Sequence, residues 1–145
     1  MAMTDLMREI KHEFMVFRNG IVADTLRKAG DSHKIIFGLQ LPVLKQIAIG
    51  LKNRLTVTDL TELAHTLWAD SAVRESRLLT PLILPPDSVD LNTATKMCHD
   101  IQTPEEADIL IFALLRHTPW LQQLHDTLTD PKIQRAIQRF LPPAE

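Results

Sequence analysis

The sequence predicts an all-α fold of about nine short helices that stack as hairpins. Apolar residues recur at helical spacing along nearly the whole chain, and no segment alternates with period two for long. Prolines behind a capping residue mark several helix starts at regular intervals. The chain has 145 residues, of which 45% are hydrophobic and 23% charged. This composition is typical of globular proteins, and the length predicts a single domain over residues 1–145.

The N-terminal third of the chain predicts three helices. The first begins near Thr4 and stops at Gly20, and its apolar face consists of Leu6, Ile10, Phe14 and Phe17. The second runs from Ile21 to Gly30, since glycine is the usual residue just past a helix end. After the loop DSHKIIFG, a third helix begins near Pro42, because proline is favoured in the first helical turn.

The rest of the chain predicts six further helices. Three of them are expected near residues 58–69, 71–84 and 88–101. The other three begin at proline, in the segments TPEEADILIFALL, TPWLQQLHDTL and DPKIQRAIQRFL. In the first of these, Thr103 as the cap, Pro104 and Glu106 form a capping box. Short helices with one apolar face each are typical of a HEAT- or armadillo-like α-α superhelix, and a compact nonrepetitive helical domain is the alternative.

The composition argues against several classes of site. Cys98 is the only cysteine, so an intramolecular disulfide and a cysteine zinc cluster are excluded. The segment CHD places three polar residues on different sides of a helix, and the six histidines lack metal-binding spacing. We therefore expect no metal and no cofactor. The N-terminus has no apolar signal core, and no window is apolar enough to span a membrane, which predicts a cytoplasmic protein without membrane contact.

The charge is unevenly distributed along the chain. The formal net charge is −2, so no global basic field attracts nucleic acid. Residues 1–54 hold nine Lys and Arg against five acids, whereas residues 55–145 hold seven against thirteen. If adjacent repeats stack, Lys45, Lys52 and Arg54 lie beside Arg74 and Arg77, and these five cations predict a basic strip.

Two segments carry a family resemblance. IIFGLQLPVLKQIA (35–48) and LAHTLWADSAVRESRLL (63–79) resemble the AlkD-like DNA alkylation repair family, a HEAT-like group. The shared features are a phenylalanine-glycine turn, a proline-led helix with a basic residue, a leucine-tryptophan helix end and a helix that opens on an Arg-Glu cluster. The resemblance extends more weakly to about residue 116, and the chain resembles a short, degenerate member.

The resemblance implies chemistry on DNA. Active members of the family are glycosylases that excise positively charged alkylated purines from a concave, DNA-tracking surface. A carboxylate flanked by tryptophans stabilises the developing sugar cation, and Asp108 in TPEEADIL falls at its position. The residues before it are Thr103, Pro104, Glu105 and Glu106 rather than aromatics.

We therefore interpret the chain as a non-catalytic binding module. Its concave face is expected to bind nucleic acid, such as duplex DNA, or an acidic partner through Lys45, Arg74 and Arg77. Two other functions stay open. One is a DNA glycosylase that excises alkylated purines with Asp108, and the other is a protein–protein interaction scaffold, as solenoids often are.

Overall fold

The computed structural model describes residues 2–141, and the regular secondary structure in this range is helical. Nine α-helices follow one another in the described residues. Extended backbone pairs there at one isolated parallel bridge, between Ile35 and Val73. The predicted all-α class is therefore confirmed. The chain forms two compact units that divide between Leu84 and Pro85, and the HEAT-like repeats and the single domain stay predictions.

The first unit contains five helices. They are α1 (Met3–Val16), α2 (Gly20–Lys28), α3 (Leu41–Arg54), α4 (Val57–Ala69) and α5 (Arg74–Ile83). Helix α5 packs against both α3 and α4, and α4 also packs against α1. The core contains most of the apolar positions expected from the helical periodicity, among them Leu6, Ile10 and Phe14 of α1 and Trp68 at the end of α4, whereas Phe17 is exposed because it lies just past the end of α1. Burial of these side chains is the main force that holds the unit together.

Two helix starts in this unit differ from the prediction. Gly20 opens α2 rather than ending α1, because the Oδ1 atom of Asn19 caps α2 by accepting from the N–H groups of Ile21 and Val22. Helix α5 begins at Arg74 rather than at residue 71. The preceding residues are used in the bridge instead, where Ile35 N–H donates to the carbonyl of Ala72.

The second unit contains four helices and two short 3₁₀ turns. The helices are α6 (Leu91–Asp100), α7 (Pro104–Ala113), α8 (Leu121–Thr127) and α9 (Pro131–Gln138), and the turns are Pro86–Ser88 and Leu115–His117. Helix α9 packs against both α7 and α8. Among the described residues, no helix is both long and apolar enough to cross a membrane.

Side-chain caps set most helix starts in the second unit. Thr103 Oγ1 accepts from the N–H of Glu106 at 3.1 Å, which confirms Thr103 as the cap of α7. Asp90 caps α6 in the same way, and the N–H donated by Thr93 lowers the pKa of the Asp90 carboxyl. The start predicted at Pro119 is wrong, because the Thr118 hydroxyl donates to the carbonyl of Leu115 and closes the 3₁₀ turn. Helix α8 consequently begins later, at Leu121.

Candidate functional site

Glu75, the acid of the Arg-Glu cluster, is fully buried at the start of α5. Its carboxylate accepts hydrogen bonds from three successive backbone N–H groups: Phe37 at 2.9 Å, Gly38 at 3.1 Å and Leu39 at 3.3 Å. A carboxylate satisfies such a row of donors well, since each bond is charge-assisted. The acid of the cluster therefore fixes the loop that leads into α3.

Arg74 is bound to the same loop. Its guanidinium donates to Glu75 Oε2 at 2.6 Å and to the carbonyl of Leu39 at 3.0 Å, and its Nε lies 3.9 Å from Asp31. Only 4% of Arg74 is exposed. Asp31 in turn contacts the ring of the buried His33 at 2.6 Å. The sequence placed Arg74 at a nucleic-acid surface, and the structure places it inside the first unit with acidic and carbonyl partners.

Arg77 is also directed into the protein. Its Nε donates to the carbonyl of Trp68 at 2.6 Å, and its guanidinium carbon lies 4.2 Å from the centroid of the Trp68 ring. Arg77 is 6% exposed. The stacking on tryptophan and the hydrogen bond together lock the junction between α4 and α5. Arg74 and Arg77 thus have structural partners, and neither guanidinium faces solvent.

The phenylalanine-glycine turn is built around a close backbone approach. Gly38 has φ +86°, a region that favours glycine, and a Cβ atom added there would lie 2.2 Å from the carbonyl oxygen of Asn19. Asn19 N–H also donates to the carbonyl of Phe37 at 2.8 Å. Gly38 and Glu75 therefore belong to one structural unit. The two motifs stand in separate segments of the sequence, and both segments carry the family resemblance.

Two of the exposed lysines of the first unit lie on α3. Lys45 and Lys52 are both exposed and are seven residues apart, which places them on one side of the helix two turns from each other. Neither lysine forms an ion pair within residues 2–141. Arg54 differs, because its guanidinium binds Glu9 of α1 at 2.6 Å. We call the pair Lys45 and Lys52 the lysine face.

Asp108 lies in the second turn of α7, in the second unit. Its carboxylate is 44% exposed and lies 3.1 Å from the guanidinium of Arg139, which is 57% exposed. The two charges form a surface ion pair, and such pairs are worth at most about 1 kcal/mol. Asp108 is therefore held by a contact that solvent or a ligand can displace. It belongs to a different unit from Lys45, Arg74 and Arg77.

An arginine that lies against two neighbouring aromatic rings is found at the surface of the same unit. The Arg116 guanidinium is 4.2 Å from the centroid of the Phe112 ring and 5.4 Å from that of Phe140, and the two rings are 5.8 Å apart. Phe112 is 40% exposed. Sequence reasoning missed this cluster. The available signal was the four-residue spacing of Phe112 and Arg116, which are close in space although α7 ends at Ala113 and Arg116 lies in the following 3₁₀ turn.

The thiol and metal chemistry of the described residues is limited. Cys98 is buried, and this burial, with a smaller effect from Asp130, raises the pKa of its thiol from 9.0 to about 12. The thiol is therefore neutral and unreactive near pH 7. In residues 2–141, no group of three or more His, Cys, Asp or Glu side chains is arranged to hold a metal ion.

Comparison with known proteins identifies a family. The family model of DNA alkylation repair enzymes matches residues 10–136, which is most of the chain and includes the loop, the Arg-Glu cluster, the lysine face and Asp108. No curated protein and no solved structure matches the chain. Since the family match extends from α1 into α9, the chain belongs to the DNA alkylation repair enzyme family.

Proposed function

We propose that this protein is a nucleic-acid-binding member of its family that acts without catalysis, and that the lysine face is its contact with the phosphate backbone. The observation that carries the proposal is the pair of exposed lysines on α3, which form no ion pair with any described residue. Lysine ammonium groups bind phosphates as mobile point charges. The surplus of base over acid in residues 1–54 favours the same end of the chain.

Arg74 and Arg77 enter this proposal indirectly. Both are buried, so a phosphate reaches neither guanidinium without unfolding part of the first unit. Their contacts hold the loop before α3 and the start of α5, and α5 packs against α3. They therefore support the helix that carries Lys45. A concave binding surface stays a prediction from the resemblance.

A fluorescence titration of labelled duplex DNA tests the proposal. Binding should be measurable at low salt and should weaken steeply as salt is added, because phosphate contacts release counterions. The double variant Lys45→Ala/Lys52→Ala should bind more weakly than Lys28→Ala/Lys96→Ala, which removes the same charge from other exposed positions. Equal losses in the two variants would remove the lysine face from the proposal, and no binding at low salt would leave the scaffold function.

The second candidate function is removal of alkylated purines with Asp108. The observation that favours it is the partly exposed carboxylate, which is held only by the surface pair with Arg139. A carboxylate in such a position is able to stabilise a positively charged sugar as the base leaves. The family description as a repair enzyme agrees with this chemistry.

Base release from methylated DNA separates the two functions. Binding without release of alkylpurine supports the non-catalytic function. Release that is lost in Asp108→Asn and kept in Asp126→Asn, an exposed carboxylate of α8 in the same unit, supports the glycosylase. Full release by Asp108→Asn would exclude the role given to that carboxylate.

A further inference from the structure

A groove of about 360 Å³ lies between α1 and α3 in the first unit. Its floor contains the buried Ile10 and Leu51, and its walls include Phe17, Val43 and Ile47. Pockets that bind small molecules have this order of volume and are mainly apolar, with a few polar groups that fix the orientation of the ligand. The function proposed above uses none of these side chains.

A glycine keeps the groove open. Gly50 lines it from the third turn of α3, and a Cβ atom added there would meet nothing within 4 Å. Glycine inside a helix is less favourable than alanine by about 0.8–1.0 kcal/mol. No close approach and no left-handed backbone requires glycine at this position, in contrast to Gly38. The structural consequence of Gly50 is the space that a side chain would otherwise fill.

The rim of the groove carries a net negative charge. Glu9 and Glu13 of α1 and Arg54 of α3 all line it. Arg54 is bound to Glu9 at 2.6 Å, whereas Glu13 forms no ion pair with any residue in the described range. One carboxylate is thus left uncompensated beside an apolar floor.

An aromatic ring stands next to that carboxylate. Phe17 follows Glu13 by four residues, so the two side chains lie on the same side at the end of α1. Phe17 also lines the groove and is 46% exposed. A carboxylate and an accessible aromatic face are the two features that attract an organic ammonium ion, the first by charge and the second by its quadrupole.

We propose that this groove binds a small organic ammonium ion with an apolar body. The apolar part lies on Ile10, Leu51 and the space beside Gly50, and the ammonium group lies between Glu13 and Phe17. The site is separate from the lysine face, because Lys45 and Lys52 project from the opposite side of α3 from Val43 and Ile47, by the 100° turn per residue of a helix. Ligand binding in the groove and DNA binding to the lysine face are therefore tested independently, and one proposal can be wrong without the other.

Three compounds of one shape test the proposal on the full chain. Benzylammonium, benzyl alcohol and benzoate are titrated while methyl NMR signals of Ile10, Val43, Ile47 and Leu51 are followed. Benzylammonium is expected to saturate these signals with a Kd of about 1 mM, a reasonable value for so small a ligand. Benzyl alcohol should bind about 2- to 5-fold more weakly, as expected for the loss of one exposed ion pair, and benzoate more weakly still.

Two variants locate the ammonium and the apolar body. Glu13→Gln should remove the difference between benzylammonium and benzyl alcohol, whereas Glu62→Gln, an exposed carboxylate of α4, should leave it unchanged. Gly50→Leu should abolish saturable binding of both compounds by filling the groove. If that variant does not fold, Glu13→Gln decides alone, since it changes only a side chain at the rim.

Three results would overturn the proposal. The first is equal affinity for benzylammonium and benzoate, which would show that the rim does not select a cation. The second is an unchanged preference for benzylammonium in Glu13→Gln. The third is a set of signal changes spread over the first unit without saturation at the groove.

Discussion

At the scale of single residues, the buried carboxylate of Glu75 organises more backbone than any other side chain of the Arg-Glu cluster. It accepts hydrogen bonds from three N–H groups of the loop before α3 and from the guanidinium of Arg74. Water reaches none of these groups readily, because Glu75 is fully buried. Loss of one partner of a buried ion pair leaves a charge that nothing compensates.

Glu75→Gln should therefore destabilise the protein by about 3–5 kcal/mol. The amide keeps one acceptor oxygen but replaces the other with a donor, which faces donors of the loop. Urea unfolding followed by circular dichroism measures the change. The matched control is Glu62→Gln on the exposed face of α4, which should change the free energy of unfolding by less than about 0.5 kcal/mol. Equal midpoints for the two variants would contradict the role given to Glu75.

Cys98 gives a second prediction at this scale. Its thiol pKa is raised to about 12, so a thiol reagent at pH 8 should label the folded protein far more slowly than the urea-unfolded chain. The unfolded thiol ionises near its ordinary value, so the stability it contributes is present below about pH 9 and is lost as the pH rises toward 12. Cys98→Ala should lack this alkaline decline. Rapid labelling of the native protein would contradict the burial of the thiol.

At the scale of elements, two glycines on either side of the start of α3 have opposite roles. Gly38 lies in the loop, with positive φ and no room for a Cβ atom, whereas Gly50 lies inside α3 next to open space. Gly38 permits the close approach of the loop to the start of α2. Gly50 weakens its own helix and leaves a groove beside it.

Alanine substitution at the two positions should change stability in opposite directions. Gly38→Ala should lower the free energy of unfolding by about 2–4 kcal/mol, because it combines left-handed backbone strain with a steric clash against Asn19. Gly50→Ala should raise it by about 0.8–1.0 kcal/mol. Thermal unfolding monitored by circular dichroism compares them directly. A gain of stability in Gly38→Ala would mean that the loop is not held against Asn19.

The elements were predictable where local signals act alone. Helical periodicity and the caps at Thr103 and Asp130 predicted α7 and α9 close to their observed bounds. The prediction was wrong where another contact changed a local preference, in one case a tertiary contact and in the other a turn with a residue three positions earlier. The bridge of Ile35 with Val73 delays α5, and the hydroxyl of Thr118 completes a turn rather than a helix cap.

At the scale of the whole molecule, charge is the property that a nucleic-acid function depends on. The net charge of −2 gives no general attraction to phosphate, so binding has to come from local cations. Among the cations named from the sequence, Lys45 and Lys52 stay exposed without an ion pair in the described part of the chain. Arg54, Arg74 and Arg77 each have a partner within the protein.

The salt dependence of DNA affinity should reveal whether these two lysines contact phosphates. Each phosphate contact changes the slope of log K against log salt by about 0.9 for duplex DNA. Lys45→Ala/Lys52→Ala should therefore make the slope shallower by about 1.8, while Lys28→Ala/Lys96→Ala should leave it nearly unchanged. Titrations at several salt concentrations measure both slopes. A similar change in the two variants would indicate diffuse attraction rather than a defined contact.

The candidate site was less predictable than the fold. A sequence shows that Arg74 and Arg77 share a helix with Glu75, but not what each contacts. Arg74 donates to the loop before α3, at Leu39, which lies 35 positions earlier in the chain, and Arg77 donates to Trp68 at the end of α4. The exposed position of Lys45 followed from its place between apolar residues of α3. The partner of Asp108 did not, because Arg139 follows the end of α9 and is distant from Asp108 in sequence.

The three hydrogen bonds from the N–H groups of residues 37–39 to Glu75 have a consequence for biosynthesis. The amides of this segment have no acceptor of their own until a carboxylate 36–38 residues downstream has been synthesised and has left the ribosome. An N-terminal fragment that stops before α5 should consequently leave the segment in rapid exchange with water. Its protection should appear together with α5, in one step.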